Sequence, residues 1–488
     1  MKTDKLIRKS IQLLSKAIIF AMPKSYFITE KEANKYMLKG DERFASTKGT
    51  HFTCGFSKRI LTPDDIGKTK YFIAGYDSNN PAQSILDDMY ARAVYLDDNT
   101  GRGGIVMCCV DAVGISRKDI NDIRRLVIES GKIPSLRSIN ISATHSHSAI
   151  DTQGLWGEKI YKSGRNEAFM KKLKAKTADA IIAAYESRKN GRLFFSKAET
   201  QDMQFDCRTP DTYDKNLTRI RFAADDGTEI IIVNFASHAE LMGSKTKKVS
   251  ADFPAYMIKE IEKENPKAEA VYFNGAIGGM ISAKEIKKVY RNEIDCEKYT
   301  KQFGKDLGRL VNSLNNETEL EPLINIKSSP VEIAGENFVL ILARLLNVLN
   351  NDIARNKKRN KATIYSEVGY LELGNGKIGI FLIPGELFPE LWNGEFLTHE
   401  NSANAVDANY RVLSEMCNCE HQFVIGLCND ELGYIIPEND FILNERMPYI
   451  NSANDRFDRN HYEETNSTGP KTAYTLLSET DKLISSVK

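Results

Sequence analysis

Apolar positions fall into helical and extended runs along this chain. Ile105 to Val110 is unbroken, with Gly103-Gly104 before it and Asp111 after it, which predicts a strand buried on both faces. Ser116 to Ser130 carries Ile120, Ile123, Val127 and Ile128 at helical spacing, and Ile139 opens the next strand. Strand, helix and strand at this spacing suggest a βαβ unit. Glu167 to Arg188 predicts a second helix with Met170, Leu173, Ala180, Ile181 and Ala184 on one face. Leu217 to Phe222 and Glu229 to Phe235 are strands joined by the hairpin-like AADDGT, and Asp252 with Pro254 marks a helix start. Further strands are expected at Tyr71 to Gly75, Tyr90 to Leu96, Ala270 to Phe273, Ile364 to Leu373, Ile378 to Ile383 and Phe423 to Leu427. Glu336 to Arg355 predicts a long amphipathic helix, followed by a basic loop from Asn356 to Lys361. The expected architecture is α/β, with mixed, largely parallel sheets and flanking helices in one large domain over residues 51–488. A helical, charged extension is expected over residues 1–50.

Composition narrows the class. The net charge of +1 gives no electrostatic case for nucleic acid, and no apolar run approaches the roughly 18 to 20 residues of a spanning helix. Eight cysteines form no C-x-x-C, and Cys108 and Cys109 point to opposite faces of a buried strand. Reduced thiols predict a cytoplasmic protein. The basic N-terminus is broken by Gln12, Ser15 and Lys16, so it reads as an amphipathic helix; export, or peripheral membrane contact through this segment, is the alternative.

Candidate chemistry sits at strand ends. His145 and His147 follow the strand at Ile139, His238 follows Phe235, and Gly278-Gly279 follows Phe273. Glu386 follows Ile383, and Asn429 to Tyr434 follows Leu427. Functional crevices in α/β sheets lie beyond the carboxyl ends of strands, where convergence would assemble nitrogen and oxygen ligands suited to Zn²⁺. Each signal alone fits a blander role. H-x-H fits a solvated turn, His238 a hydrogen-bonded core histidine, and Glu386 a turn residue.

The ordered set is more specific. ATHSHS resembles the T-H-T-H-S signature of the neutral/alkaline non-lysosomal ceramidases, zinc amidases that cleave the N-acyl bond of ceramide. GFSKRILTP, IAGYDSNN, DDMYARAVYLDD, VMCCVDAVG, Cys207-Arg208-Thr209-Pro210, VNFASHAELMG with SADFP, IPGELF, GLCNDELGY and YEETNSTGPKT are similar to further family elements, in order, from Phe52 to Thr475. The resemblance implies a catalytic domain over residues 51–488 in which His145, His238, Glu386 and Tyr434 hold zinc. It makes His147 a proton-transfer or supporting histidine, Arg208 a substrate-holding arginine and Tyr462 a site tyrosine. The implied activity is hydrolysis of a lipid amide such as ceramide by metal-activated water.

Two departures qualify that expectation. The family's G-D-V-S-P-N is here Gly278-Gly279-Met280-Ile281-Ser282, so its aspartate falls on Gly279 and its serine on Ile281. The chain also ends at Lys488, which leaves no room for the C-terminal immunoglobulin-like domain of larger members. Hydrolysis of another small amide or ester, or a non-catalytic metal- or lipid-binding descendant, therefore stays open.

Overall fold

The computed structural model describes residues 17, 19, 20, 22–200, 202–209, 211–356 and 361–487. The predicted N-terminal helix, Pro210 and the core of the basic loop after Asn356 fall outside them. The main elements are β1 (Phe52–Ile60), β2 (Tyr90–Asp97), β3 (Gly104–Val110), α1 (Arg117–Glu129), β4 (Leu136–Ala143) and α2 (Glu167–Glu186). They continue with β5 (Lys189–Glu199), β6 (Asn216–Ala224), β7 (Glu229–Phe235), α3 (Phe253–Glu264), β8 (Ala268–Asn274) and α4 (Cys296–Ser313). The last third supplies β9 (Ile324–Gly335), α5 (Phe338–Leu345), β10 (Lys361–Leu373), β11 (Ile378–Leu382), β12 (His421–Ile425) and α6 (Thr472–Ser485).

Two sheets pack face to face. The larger runs β8-β7-β6-β5-β1-β2-β3-β4, and the smaller runs β9-β10-β11-β12. Period-2 alternation divides each strand between two cores. In β3, Ile105, Met107 and Cys109 face the space between the sheets, where they join Ile378, Ile380 and Leu382 of β11. Val106, Cys108 and Val110 face the opposite way, with Ile120 of α1 and Ile181 of α2. Farther along that outer face, α3 and α4 pack through Met257 and Leu307 against β7 and β8, while α6 packs through Leu476 on the smaller sheet. The layers thus run helices, sheet, sheet, helix, and all eight cysteines are free thiols.

The βαβ unit, the hairpin and the Asp252 cap form as expected: β3 and β4 pair in parallel, β6 and β7 antiparallel, and Asp252 accepts the Phe253 N–H. The expectation of largely parallel sheets is corrected. In the larger sheet only β8 with β7 and β3 with β4 are parallel, and in the smaller only β11 with β12. Connections as short as the turn at Asp225–Gly227 force antiparallel neighbours, since a parallel crossover needs a dozen residues or so. Two helical readings also change. α5 spans only Phe338–Leu345, ending before Asn347, which takes a left-handed φ of 55°, and Ala354–Asn356 instead pairs with β10. Over residues 22–50 only Lys24–Tyr26 and Glu30–Ala33 are helical. Tertiary ties override propensity there: Asp41 accepts from Arg137 at 3.0 Å and from the Ile326 N–H at 2.9 Å. Tyr71 to Gly75 makes isolated bridges, Phe72 to Pro81 and Ile73 to Ile150, in place of a strand.

At one end the sheets are pinned together. Asn429 donates its N–H to Ile141 O (2.7 Å), Gly426 donates to Asn274 O (3.0 Å), and Ser142 bridges Cys428. The carboxyl ends of β4, β7, β8, β11 and β12 meet there.

Candidate metal centre

The bend that an H-x-H pair needs lies at His145 itself, whose φ is 61°. Non-glycine residues avoid this region unless their surroundings impose it. Beyond the bend, His147 donates its N–H to Ala239 O (2.8 Å) and Ser146 bridges Ala239, so the two histidine segments lie side by side.

Backbone carbonyls set the imidazoles. His145 Nδ1 is 2.6 Å from Val113 O, and His238 Nδ1 is 2.9 Å from Ile281 O. A carbonyl only accepts, so each Nδ1 carries the proton and each Nε2 presents a lone pair. Both lone pairs face the same oxygen: Glu386 Oε2 is 3.1 Å from His238 Nε2 and 3.4 Å from His145 Nε2. Lone pairs converging on a carboxylate oxygen repel one another unless a cation sits among them. His147 closes the cluster, with one ligand atom from each of His145, His147 and His238 within 4.8 Å of the others, all three residues buried. Three imidazoles and a carboxylate in a buried pocket fit a zinc ion.

Electrostatics separate the histidines. Burial opposes charge on His145, but the Glu386 carboxylate more than offsets it and raises the pKa to about 9. Burial, with the His145 and His238 rings alongside, holds His147 well below its ordinary value and neutral. Its Nδ1 has no hydrogen-bond partner among the described residues; Glu240 Oε2 stands 3.9 Å away. Glu240 is fixed in turn by the hydroxyls of Tyr76 (3.2 Å) and Tyr290 (2.9 Å).

Glu386 and Tyr434 are register partners in a short parallel pair, which stands the phenol beside the carboxylate. The Tyr434 hydroxyl reaches Met280 Sδ (3.1 Å) and the Tyr462 hydroxyl (3.3 Å). These contacts mark a partition. A cavity of about 380 Å³ contains His145, His147, Glu386 and Tyr434 and extends past Leu155 and Trp156 to Leu340, Ile341 and Ile353. A second cavity, of about 370 Å³, holds Arg208, Met280 and Tyr462. Arg208 is enclosed there by Glu390 (3.3 Å), Asp440 and Glu463 (3.7 Å), with its guanidinium 4.3 Å above the Phe388 ring. The seven residues singled out in the sequence therefore gather at one end of the molecule, but Arg208 and Tyr462 line a separate chamber.

The altered segment has its own logic. Gly279 has φ of 76°, and a Cβ there would stand 2.7 Å from Arg208 Cδ, so no side chain fits without moving the arginine. Ile281 contributes its carbonyl, which accepts from both the backbone N–H of His238 (2.8 Å) and its Nδ1. Ser282 is buried and lies outside both cavity linings.

Two polar residues escaped the sequence reading. Glu240 carried a signal, since it lies two residues after His238 and strand-like alternation puts such positions on one face. Gln153 carried none. It is 6 % exposed, lines the cavity and leaves Nε2 without a hydrogen-bond partner among the described residues.

No known family profile and no curated protein matches the sequence. Solved structures do match in fold. Neutral ceramidase from Pseudomonas aeruginosa superposes with a TM-score of 0.67 at 14 % identity, over 89 % of this chain and 74 % of that one. A ceramidase complexed with C2 gives 0.66 at 14 % identity, over 89 % and 75 %. The fold is that of neutral ceramidase, as the ordered motifs implied.

Proposed function

We propose that this protein is a zinc-dependent amidohydrolase that cleaves an N-acyl amide, ceramide or a related lipid amide. The observation that carries this reading is the convergence of the His145 and His238 Nε2 lone pairs on Glu386 at the buried end of a largely apolar cavity. The neutral ceramidase fold supports it.

His145, His238 and Glu386 hold the metal, with the Tyr434 phenol beside them and His147 on the open side. Bound zinc supplies Lewis acidity, polarising a scissile carbonyl and acidifying water. The chain supplies the rest. His147, neutral and backed by Glu240, relays a proton to the leaving nitrogen, because an amide anion is too basic to depart unprotonated. Tyr434, with Tyr462 behind it, offers a hydroxyl to the developing oxyanion. The apolar wall of Leu340, Ile341 and Ile353 excludes water and receives an acyl chain.

A specific feature favours a second reading, hydrolysis of a different small amide or ester. Met280 stands between the metal cavity and Arg208, the residue expected to hold substrate. Metal analysis with a panel of fluorogenic amides and esters, ceramide included, on wild type and His145→Ala, tests both. Wild type with about one zinc per chain and turnover of lipid amides, both lost in the variant, supports the proposal. A protein that carries no metal and gains no activity with added zinc would be no amidohydrolase of this kind. Zinc-dependent turnover confined to short esters would favour the second reading.

A further inference from the structure

We propose that the face around the mouth of the metal cavity docks on an anionic lipid bilayer. The metal end of this cavity is buried, whereas Leu155, Trp156, Leu340 and Arg344 at its other end are partly exposed, so the mouth lies there. The four most exposed large hydrophobic side chains described are Ile160 (84 %), Phe20 (69 %), Tyr161 (58 %) and Leu346 (52 %). All four border this mouth. Ile160 and Tyr161 sit on the loop that leaves the cavity wall at Trp156 and is tied to α5 through Ser163 Oγ, 2.9 Å from Val348 O. Leu346 caps α5. Phe20 adjoins Ile19, which packs on Ile341, and lies 5.3 Å under the guanidinium of Arg355, close along the chain to the cavity-lining Ile353.

Scattered exposed apolar residues are ordinary, but a cluster of the most exposed ones around a cavity mouth marks an interaction surface. Charge selects the partner. Lys159 lies 5.7 Å from the Tyr161 ring centroid, and Arg344 bonds only Asn351 O and Asn347 Oδ1, with no carboxylate in ion-pair range among the described residues. The acid of this loop, Glu158, is already neutralised by Lys70 and Lys162. The sequence of residues 1–16 carries five cations and one acid, and it joins the described chain at Ala17, beside Phe20. Apolar and aromatic tips interleaved with cations are what a peripheral protein presents to anionic headgroups. Docked this way, the cavity would open toward acyl chains without passing them through water.

Flotation of the full-length protein with phosphatidylcholine vesicles, with and without phosphatidylserine, tests this without turnover, so its outcome is independent of the hydrolase reading. Binding to phosphatidylserine vesicles at least about tenfold tighter than to phosphatidylcholine alone, weakened by salt, is expected. The combined Phe20→Ser, Ile160→Ser, Tyr161→Ser and Leu346→Ser variant should bind at least about tenfold more weakly. Lys159→Glu alone should weaken binding severalfold. Val406→Ser with Ile450→Ser, exposed elsewhere, should bind like wild type. Wild type that does not float, floats equally on both vesicles, or is matched by the fourfold variant overturns the proposal. So does a dimer formed without vesicles and abolished by the fourfold variant, since a second copy would then cover the face.

Discussion

His238 Nε2 and Glu386 Oε2 lie 3.1 Å apart although 148 residues separate them in the chain. His238 Nδ1 is already bonded to Ile281 O, so this contact is acceptor against acceptor and stable with a cation between. His238→Ala should lower zinc content from about one per chain to near zero and cost at least about a hundredfold in activity. Metal analysis and rate measurement on the same preparation check it; full zinc occupancy in the variant would refute the ligand role.

Gln153 presents an unpaired amide nitrogen to the cavity at a stability cost, since a buried donor without a partner forfeits hydration. If that donor serves the substrate, Gln153→Leu should keep its zinc, melt no lower than wild type, and lose roughly five- to thirtyfold in kcat/KM. Unchanged kcat/KM would make Gln153 a bystander.

Replacing Gly279 by aspartate restores the residue expected of the family but not its setting. With φ at 76° and Arg208 Cδ 2.7 Å from the added Cβ, Gly279→Asp should destabilise by about 1–3 kcal/mol and raise no activity. Urea unfolding reads the first effect and the amide assay the second.

Burial pushes the Asp252 carboxyl up to about 7, against the Phe253 and Met242 N–H groups that pull it down. Its folded pKa then exceeds its unfolded one, so folding takes up a proton between them and stability falls as pH rises from about 4 to about 7. Asp252→Asn keeps a helix-capping oxygen and should flatten that slope. Urea midpoints at about pH 5 and about pH 7 measure it, and an equal slope in both proteins would contradict it.

Periodicity and punctuation were enough to find β3, α1, β4, α2 and the β6–β7 hairpin, because each is set by local burial and turn chemistry. They missed the early end of α5, where Asn347 and the partner strand β10 decide, and the antiparallel middle of the larger sheet, where pairing is non-local. The same division holds for the site. Strand-end histidines and Glu386 were visible as residue types at strand ends, and their gathering follows from topology. The carboxylate cage that holds Arg208 in its own chamber depends on Glu390, Asp440 and Glu463, which no spacing rule connects.

The pinning of the two sheets at their carboxyl ends has a kinetic consequence. His145 and His238 belong to strands of the larger sheet and Glu386 to a strand of the smaller, so no separately folded fragment of either sheet holds the ligand set. Contacts this distant in sequence close late, after the shorter loops have been ordered. Zinc added to refolding protein should therefore leave the early phases unchanged and be captured only in the slowest one, acting as a latch on the docked sheets rather than a nucleus for either.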